Sequence, residues 1–284
     1  MGACKPLGQR RQGHGDCRSL LWTTWSMSVQ SVLETNKQSG RGTLVGYFPA
    51  GYPTVEDSIA AFVALAQNGC DILEVGVPYS DPVMDGLVIQ KATEKALENG
   101  FKLNQLFEVI RGVREQVDTP MLVMSYYNPV LRYGVEKFAD ELKQAGAQGM
   151  ITPDLIPDEA SKWLESADKH DLDRVFLVAP SSSDERVSAN TKASRGFVYS
   201  VSTMGITGER AEVDKLAREV AGRVSSIGSA PTCVGVGVST GAQVRDVNTY
   251  ADGAIVGTAL IAAYESNGLD GLIEKTRELA SGLG

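Results

Sequence analysis

The sequence is short of the residues that many kinds of site require. Its 284 residues contain four cysteines and two histidines. No CxxC pair is present, which argues against a zinc site. Because histidine is so scarce, any proton transfer is expected to fall to carboxylates or tyrosines. The sparse use of cysteine is typical of a protein of the reducing cytoplasm.

Long apolar runs and a surplus of basic charge are also missing. The formal net charge is −8, whereas nucleic acids and anionic membranes attract proteins with a basic face. No apolar stretch approaches the ~18–20 residues that a membrane-spanning helix needs. We therefore expect neither nucleic acid nor membrane as a partner. The hydrophobic content of 43% supplies ample material for a globular core.

Residues 1–26 differ in character from the remainder of the chain. They carry four basic residues and one acid, and they show no helical or strand periodicity. The apolar run LLWTTW is too short for a secretory signal, and MGACKP lacks the Ser or Thr that myristoylation prefers at position six. We interpret residues 1–26 as a disordered or non-native extension and residues 27–284 as one catalytic domain.

From Thr43 onward, short apolar segments alternate with helical patterns. Eight such β/α units, spaced by roughly 25–35 residues, predict a single (β/α)8 barrel, the TIM barrel. A doubly wound open sheet is the competing architecture, but it usually has fewer strands and a G-x-G-x-x-G turn after strand one. Here PAGYP follows strand one. The predicted strands are 43–48, 71–77, 120–127, 148–154, 174–180, 196–202, 231–238 and 252–258.

An acid within the second predicted strand is the first candidate for chemistry. Glu74 lies between Leu73 and Val75, and burial there is expected to raise the pKa of its carboxyl group. A structural salt bridge is an equally good interpretation of its position. Asp81 and Asp85 follow on the next loop, at the face where TIM barrels place their active sites. Each aspartate also fits an ordinary turn.

Glycine-rich strand ends suggest where an anion would bind. GVGV (235–238) and IVGT (255–258) close strands seven and eight, after which phosphate-binding barrels hold their ligand by backbone N–H groups. Simple barrel corners are the alternative. The segment STMGITGER (202–210) reads either as a lid over a ligand or as a flexible exposed loop. Aromatic residues at three strand ends favour an apolar pocket, although core packing explains each one: Tyr47, Tyr126 and Tyr199.

Taken together, these segments resemble the α subunit family of tryptophan synthase over residues 40–265. The most specific segment is LEVGVPYSDPVMDG (73–86), which is similar to the family pattern E-x-G-x-P-[FY]-S-D-P-x-x-D-G. PDLIPDEA, STMGITG, GVGV and the GT of IVGT match in the same order. Two positions depart from common family residues, with Leu87 in place of Pro and Thr258 in place of Ser. Neither change removes a proposed catalytic group.

The resemblance implies reversible cleavage of indole-3-glycerol phosphate to indole and glyceraldehyde 3-phosphate. Glu74 would be the general acid and base, and Asp85 would hydrogen-bond the indole N–H and stabilise the positive charge that develops there. No metal or cofactor is implied for this chain. The other implied substrate-binding residues are Tyr47, Ile89, Tyr126, Tyr199, Thr207, Gly208, Val236, Gly237, Gly257 and Thr258.

The same resemblance implies a partner. A β subunit carrying pyridoxal phosphate would receive the indole within an α2β2 heterotetramer, and Pro78, Tyr79 and Asp81 would lie in the loop that faces it. Two alternatives stay open at this point. One is another phosphate-binding barrel enzyme, which the two-aspartate loop after Glu74 disfavours. The other is a non-catalytic barrel that binds a phosphate ligand and regulates a partner.

Overall fold

The predicted barrel is confirmed. The computed structural model describes residues 28–201, 210–235 and 237–284. Within these residues, eight parallel strands form a closed barrel in chain order. The strands are β1 (Leu44–Pro49), β2 (Ile72–Gly76), β3 (Met121–Met124), β4 (Gly149–Thr152), β5 (Asp173–Val178), β6 (Val198–Val201), β7 (Thr232–Gly235) and β8 (Gly253–Val256).

Helices follow the strands and cover the outside of the barrel. In the described ranges they are α1 (Val29–Gln38), α2 (Val55–Gln67), α3 (Leu87–Glu98), α4 (Asn104–Arg114), α5 (Tyr127–Tyr133), α6 (Val135–Ala145), α7 (Ser161–Lys169), α8 (Asp184–Ala193), α9 (Arg210–Ile227), α10 (Gly241–Val247) and α11 (Thr258–Ala280). A 3₁₀ turn, Pro157–Glu159, precedes α7. In this part of the chain, no helix is long and apolar enough to cross a membrane.

The barrel interior is organised by the two-residue alternation of the strands. Seven strands each contribute one residue to a single buried cluster, and Phe197, immediately before β6, completes it. Only the barrel interior can bring these residues together: Val45, Ile72, Leu122, Ile151, Val175, Phe197, Cys233 and Ile255. Side chains two residues further along a strand point the same way. Tyr47, Glu74 and Tyr199 therefore face the interior closer to the carboxyl end. Tyr47 and Glu74 are register partners on β1 and β2.

Helix α1 closes the amino end of the barrel. Its buried Val29, Val32 and Leu33 belong to the same cluster as the interior strand residues. Ser28 caps the helix, since its hydroxyl oxygen accepts the N–H of Ser31 at 3.1 Å. No helix or strand is predicted before Thr43, so this plug is an addition. The interior consequently opens toward the carboxyl ends of the strands.

The third predicted strand is too long at its carboxyl end. The run 120–127 reads as one strand, but β3 ends at Met124 and α5 begins at Tyr127. The reason is a contact from the next β/α unit. The Asp154 carboxylate accepts the N–H of Tyr127 at 2.9 Å, and such a bond stabilises a helix N-terminus. A distant cap of this kind leaves no local signal in the sequence.

Candidate active site

A pocket of about 160 Å³ opens at the carboxyl end of the barrel. Strands β1, β2, β3, β6, β7 and β8 all contribute to it, as does the loop 77–86 between β2 and α3. TIM barrels place their active sites at this face. The described residues that line the pocket are Tyr47, Glu74, Met84, Asp85, Ile89, Met124, Tyr199, Gly235, Gly237, Val238, Ile255, Gly257 and Thr258.

Glu74 is the buried acid of this pocket. Its side chain is 1% exposed, and neither carboxylate oxygen has a hydrogen-bond partner among the described residues. Burial, followed by the nearby charge of Asp85, raises the pKa of Glu74 to about 8. A buried polar group without a partner is costly for folding. Glu74 is therefore suited to proton exchange near neutral pH and poorly suited to a structural salt bridge.

Asp85 forms a second acid with a different affinity for protons. Burial raises its pKa to about 6, below the value of about 8 for Glu74. At neutral pH, Asp85 is mainly ionised and Glu74 mainly protonated. Two carboxyl groups whose environments separate their pKa values are the arrangement that assigns one to proton donation and the other to charge stabilisation.

Two tyrosines, Tyr47 and Tyr199, line the pocket together with this acid pair. Burial, followed by the charges of Asp85 and Glu74, raises the pKa of Tyr47 well above its ordinary value. Tyr199 shows the same direction of shift for the same causes. Both hydroxyl groups thus stay neutral donors. Gly76 leaves room for the Tyr47 ring, because a Cβ atom there would lie 2.3 Å from the Tyr47 hydroxyl oxygen.

The far end of the pocket is built from backbone rather than charged side chains. Gly237 has a φ of +57°, a conformation that favours glycine. Gly257 precedes α11 and provides no side-chain cap for it, so the first N–H groups of the helix lack a side-chain cap where Gly257 and Thr258 line the pocket. Free N–H groups at a helix N-terminus attract anions. This end therefore suits a phosphate group.

The chain matches known proteins over most of its length. A statistical model of the family described as "Tryptophan synthase alpha chain" matches residues 33–281. The chain belongs to the tryptophan synthase alpha chain family. A relative from Leifsonia xyli subsp. xyli with that name is 52% identical over 254 residues, which cover 89% of this chain and 97% of the relative. The resemblance inferred from the motifs is confirmed.

Solved structures of the family share the barrel. Tryptophan synthase of Mycobacterium tuberculosis in space group F222 superposes with a TM-score of 0.85 at 49% identity, covering 90% of this chain and 97% of that one. A structure described as the tryptophan synthase a2b2 complex of Pyrococcus furiosus has a TM-score of 0.77 at 34% identity, covering 84% and 98%. The architecture is thus that of the tryptophan synthase alpha chain family.

Most of the described residues predicted for the site converge on the pocket. Six of the predicted substrate-binding residues lie on its wall beside the acids: Tyr47, Ile89, Tyr199, Gly237, Gly257 and Thr258. Tyr126 instead stands behind the loop 77–86, where its hydroxyl oxygen accepts the N–H of Met84 at 2.8 Å. Several predicted residues lie outside the described part of the chain: Thr207, Gly208, Val236 and residues 1–26. The predicted lid (202–210) also lies outside it, apart from the backbone of Arg210.

The predicted partner-facing residues differ in exposure. Pro78 is buried, Tyr79 is half-buried and Asp81 is exposed. The Tyr79 ring lies 5.2 Å from the Tyr126 ring between centroids, and its hydroxyl accepts the side-chain amide of Asn128 at 3.0 Å. The loop is thus anchored at Pro78 and Tyr79 and reaches solvent at Asp81. Contact of these residues with a partner stays a prediction.

Several residues of the pocket wall, and one residue that supports the loop 77–86, were not predicted from the sequence. Met84 and Met124 line the pocket, yet their apolar side chains look like ordinary core. Three further wall residues, Gly235, Val238 and Ile255, lie within the segments 235–238 and 255–258 already singled out for phosphate. The supporting residue is Gln90, whose side-chain amide donates to the backbone carbonyl of Asp85 at 2.8 Å. A polar residue in the first turn of the helix after the loop 77–86 is the signal that was available.

The described residues of this pocket do not form a metal site. Across residues 28–201, 210–235 and 237–284, no group of three or more His, Cys, Asp and Glu side chains is arranged to hold one. Cys70 and Cys233 are free and buried. Burial raises the pKa of both thiols, which keeps them protonated and unreactive.

Proposed function

We propose that this chain cleaves indole-3-glycerol phosphate reversibly to indole and glyceraldehyde 3-phosphate, as an alpha subunit of tryptophan synthase. The observation that carries the proposal is the acid pair: Glu74 is 1% exposed and shares its pocket with Asp85. Their raised pKa values of about 8 and about 6 divide the two protonation states at neutral pH. Membership of the family supports the same conclusion.

Each acid has a separate part in the proposed reaction. Glu74 donates its proton to the ring carbon that bears the side chain, which leaves an electron-poor, positively charged ring. Ionised Asp85 accepts a hydrogen bond from the indole N–H and stabilises that charge. The hydroxyl on the adjacent carbon then loses its proton toward the Glu74 carboxylate. The C–C bond breaks, its electrons return to the ring, and an aldehyde forms on the glycerol side.

The remaining walls match the two ends of this substrate. Met124, Ile89 and the rings of Tyr47 and Tyr199 supply an apolar surface near the acids, suited to a flat aromatic ring. We place the phosphate at the N-terminus of α11, beginning at Thr258, together with Gly237 and Gly257. Thr207, Gly208 and Val236 complete the proposed set on the strength of the motif match.

The partner and its cofactor belong to the same proposal. Because a structural relative is described as an a2b2 complex, we propose a β subunit as partner in an α2β2 heterotetramer, with Pro78, Tyr79 and Asp81 at the contact. The family resemblance implies that the β subunit carries pyridoxal phosphate, and the proton transfers above require no cofactor in this chain. A cytoplasmic location fits the low cysteine content.

The test is an indole-release assay on the Glu74→Gln variant. The amide is nearly isosteric with the protonated acid but cannot exchange a proton, so turnover should fall by at least ~1000-fold, at the upper part of the range for general acid–base catalysis. Binding of glyceraldehyde 3-phosphate should persist. Glu94→Gln, the same change at an exposed position of α3, is the control and should retain full activity.

Two results would count against the proposal. Full turnover by Glu74→Gln would remove the carboxyl group from the mechanism. Phosphate-ligand binding by the unaltered chain, with no indole release in the presence or absence of the β subunit, would instead favour the non-catalytic phosphate-binding barrel.

A further inference from the structure

The loop that carries Asp85 is held from both sides. Residues 77–86 have no regular secondary structure, so the position of the Asp85 carboxylate depends on the contacts that fix the loop backbone. On one side, the hydroxyl oxygen of Tyr126 accepts the N–H of Met84 at 2.8 Å. This bond fixes the backbone immediately before Asp85.

Gln90 fixes the loop from the other side. Its side-chain amide nitrogen donates to the carbonyl oxygen of Asp85 at 2.8 Å and lies 3.4 Å from the carbonyl oxygen of Pro82. The shorter contact has the length of a good hydrogen bond, whereas the longer one is weak. The two anchors therefore bracket Asp85, one at the amide before it and one at its own carbonyl group.

The Gln90 side chain has no part in building helix α3. The backbone N–H of Gln90 makes the ordinary helical bond to the carbonyl oxygen of Gly86 at 2.9 Å. Its side chain instead reaches back to Asp85. Asp85 is one residue before Gly86, the N-cap residue of α3, and Gly86 provides no side-chain cap for the helix. Gln90 thus links the start of a packed helix to an irregular loop.

We infer that Gln90 is a positioning residue that holds the Asp85 carboxylate toward Glu74 and the bound indole ring. Catalytic groups must be held to within about 0.5 Å of the productive geometry, and Asp85 lies on a loop rather than on a strand. Gln90 and Tyr126 together convert that loop into a fixed support. The inference rests on the proposed function for the identity of the ligand, but the contact between Gln90 and Asp85 is independent of it.

The first test measures the titration of Asp85 without any ligand. Aspartate carboxyl carbons are labelled with ¹³C, and the Asp85 signal is assigned by its loss in Asp85→Asn. Because burial raises the pKa of Asp85 to about 6, a loosened loop should expose the carboxylate and lower that pKa. Gln90→Met, similar in length but unable to donate, should show this downward shift. Lys91→Met, at the exposed neighbouring position, should not.

The second test measures function and coupling. In the indole-release assay, Gln90→Met should lower kcat/KM about tenfold, the effect of losing one hydrogen bond, while the melting temperature stays close to that of Lys91→Met. For an unreactive analogue, indole-3-propanol phosphate, Gln90→Met should weaken binding several-fold in the native background and less than twofold in Asp85→Asn. Such coupling is expected when one residue acts through another.

The outcomes separate this inference from the proposed function. An unshifted Asp85 titration in Gln90→Met, or equal weakening of analogue binding in both backgrounds, overturns the positioning role. A shifted titration in a chain that neither binds the analogue nor releases indole upholds positioning and rejects the proposed function. If Gln90→Met does not fold, Gln90→Leu gives the same readouts, because its neutral side chain cannot donate to the Asp85 carbonyl group and places no new charge beside the carboxylate.

Discussion

Replacing Glu74 with glutamine should make the protein more stable at alkaline pH while destroying its activity. The folded carboxyl group is buried and has no hydrogen-bond partner among the described residues. It therefore binds its proton more tightly in the folded chain than in the unfolded chain. The glutamine side chain has almost the same shape, never ionises, and leaves the barrel register unchanged.

The size of the effect follows from the shift in pKa. The pKa of Glu74 rises from the ordinary value of 4.5 to about 8 on folding. Since the folded pKa is the higher one, the favourable contribution is complete below pH ~4.5 and is lost as the pH rises through about 8. Each pKa unit corresponds to about 1.4 kcal/mol. Between pH ~5.5 and pH ~8.5, this group should therefore lower the free energy of unfolding by about 3 kcal/mol.

Urea denaturation of the native chain and of Glu74→Gln at these two pH values measures the effect. The loss of stability with rising pH should be about 3 kcal/mol smaller in Glu74→Gln. The other carboxyl groups titrate in both proteins, so their contribution cancels in the comparison. Equal losses in the two proteins would show that Glu74 does not hold its proton in the folded state, and the assignment of general acid would lose its basis.

Four further predictions concern the site and the amino end. The pH profile of kcat/KM should be bell-shaped, with limbs near pH ~6 and pH ~8, because Asp85 must be ionised and Glu74 protonated. Asp85→Asn should move the alkaline limb to lower pH, since the negative neighbour that raises the pKa of Glu74 is gone. Gly76→Ala should lower kcat/KM at least ~10-fold, because the added Cβ atom would lie 2.3 Å from the Tyr47 hydroxyl oxygen and displace that ring. A chain that begins at Met27 should match the full chain in melting temperature and indole release, because it keeps all of helix α1.

Matched changes elsewhere serve as controls for these predictions. Gly222→Ala, where a Cβ atom meets nothing within 4 Å, should leave kcat/KM unchanged and add about 1 kcal/mol of helix stability. A chain that begins at Arg41 lacks α1 and should melt at a markedly lower temperature. An unmoved alkaline limb in Asp85→Asn, a fully active Gly76→Ala or a destabilised Met27 chain would each contradict the corresponding prediction.

The barrel could be predicted because each strand carries its own signal. Near-continuous apolar runs such as DILEVGV are typical of strands buried on both faces, and their spacing with helices specified a parallel closed sheet. Helix α1 left no comparable signal, since a short amphipathic segment beside an uncharacteristic terminal region does not reveal what it covers. The early end of β3 at Met124 was equally hidden, because the cap from Asp154 comes from a different β/α unit.

Some residues of the candidate site were also predictable from the sequence, and others were not. Glu74 could be singled out because a carboxylate is rare inside a strand, and Asp85 because it lies on the loop that follows. Position alone left a salt bridge and an ordinary turn open, and the resemblance of LEVGVPYSDPVMDG to the family pattern gave the two acids their predicted roles. Met84 and Met124 were not, since an apolar side chain on a pocket wall has the same chemistry as one in the core. Tyr126 was expected on the wall, but its hydroxyl binds the loop backbone at Met84. A local sequence pattern predicts residue types at strand ends and leaves their mutual contacts undetermined.

The depth of Glu74 within the barrel links folding to chemistry. Two residues earlier on the same strand, Ile72 belongs to the apolar cluster that fills the amino half of the interior. A shift of β2 by two residues would keep every side chain on its own face and the hydrogen-bonding pattern largely intact. It would nevertheless carry the carboxyl group into that cluster or out beyond the tyrosine rings. Selection for activity therefore also selects one strand alignment, and a misaligned barrel would be inactive even where it remained compact.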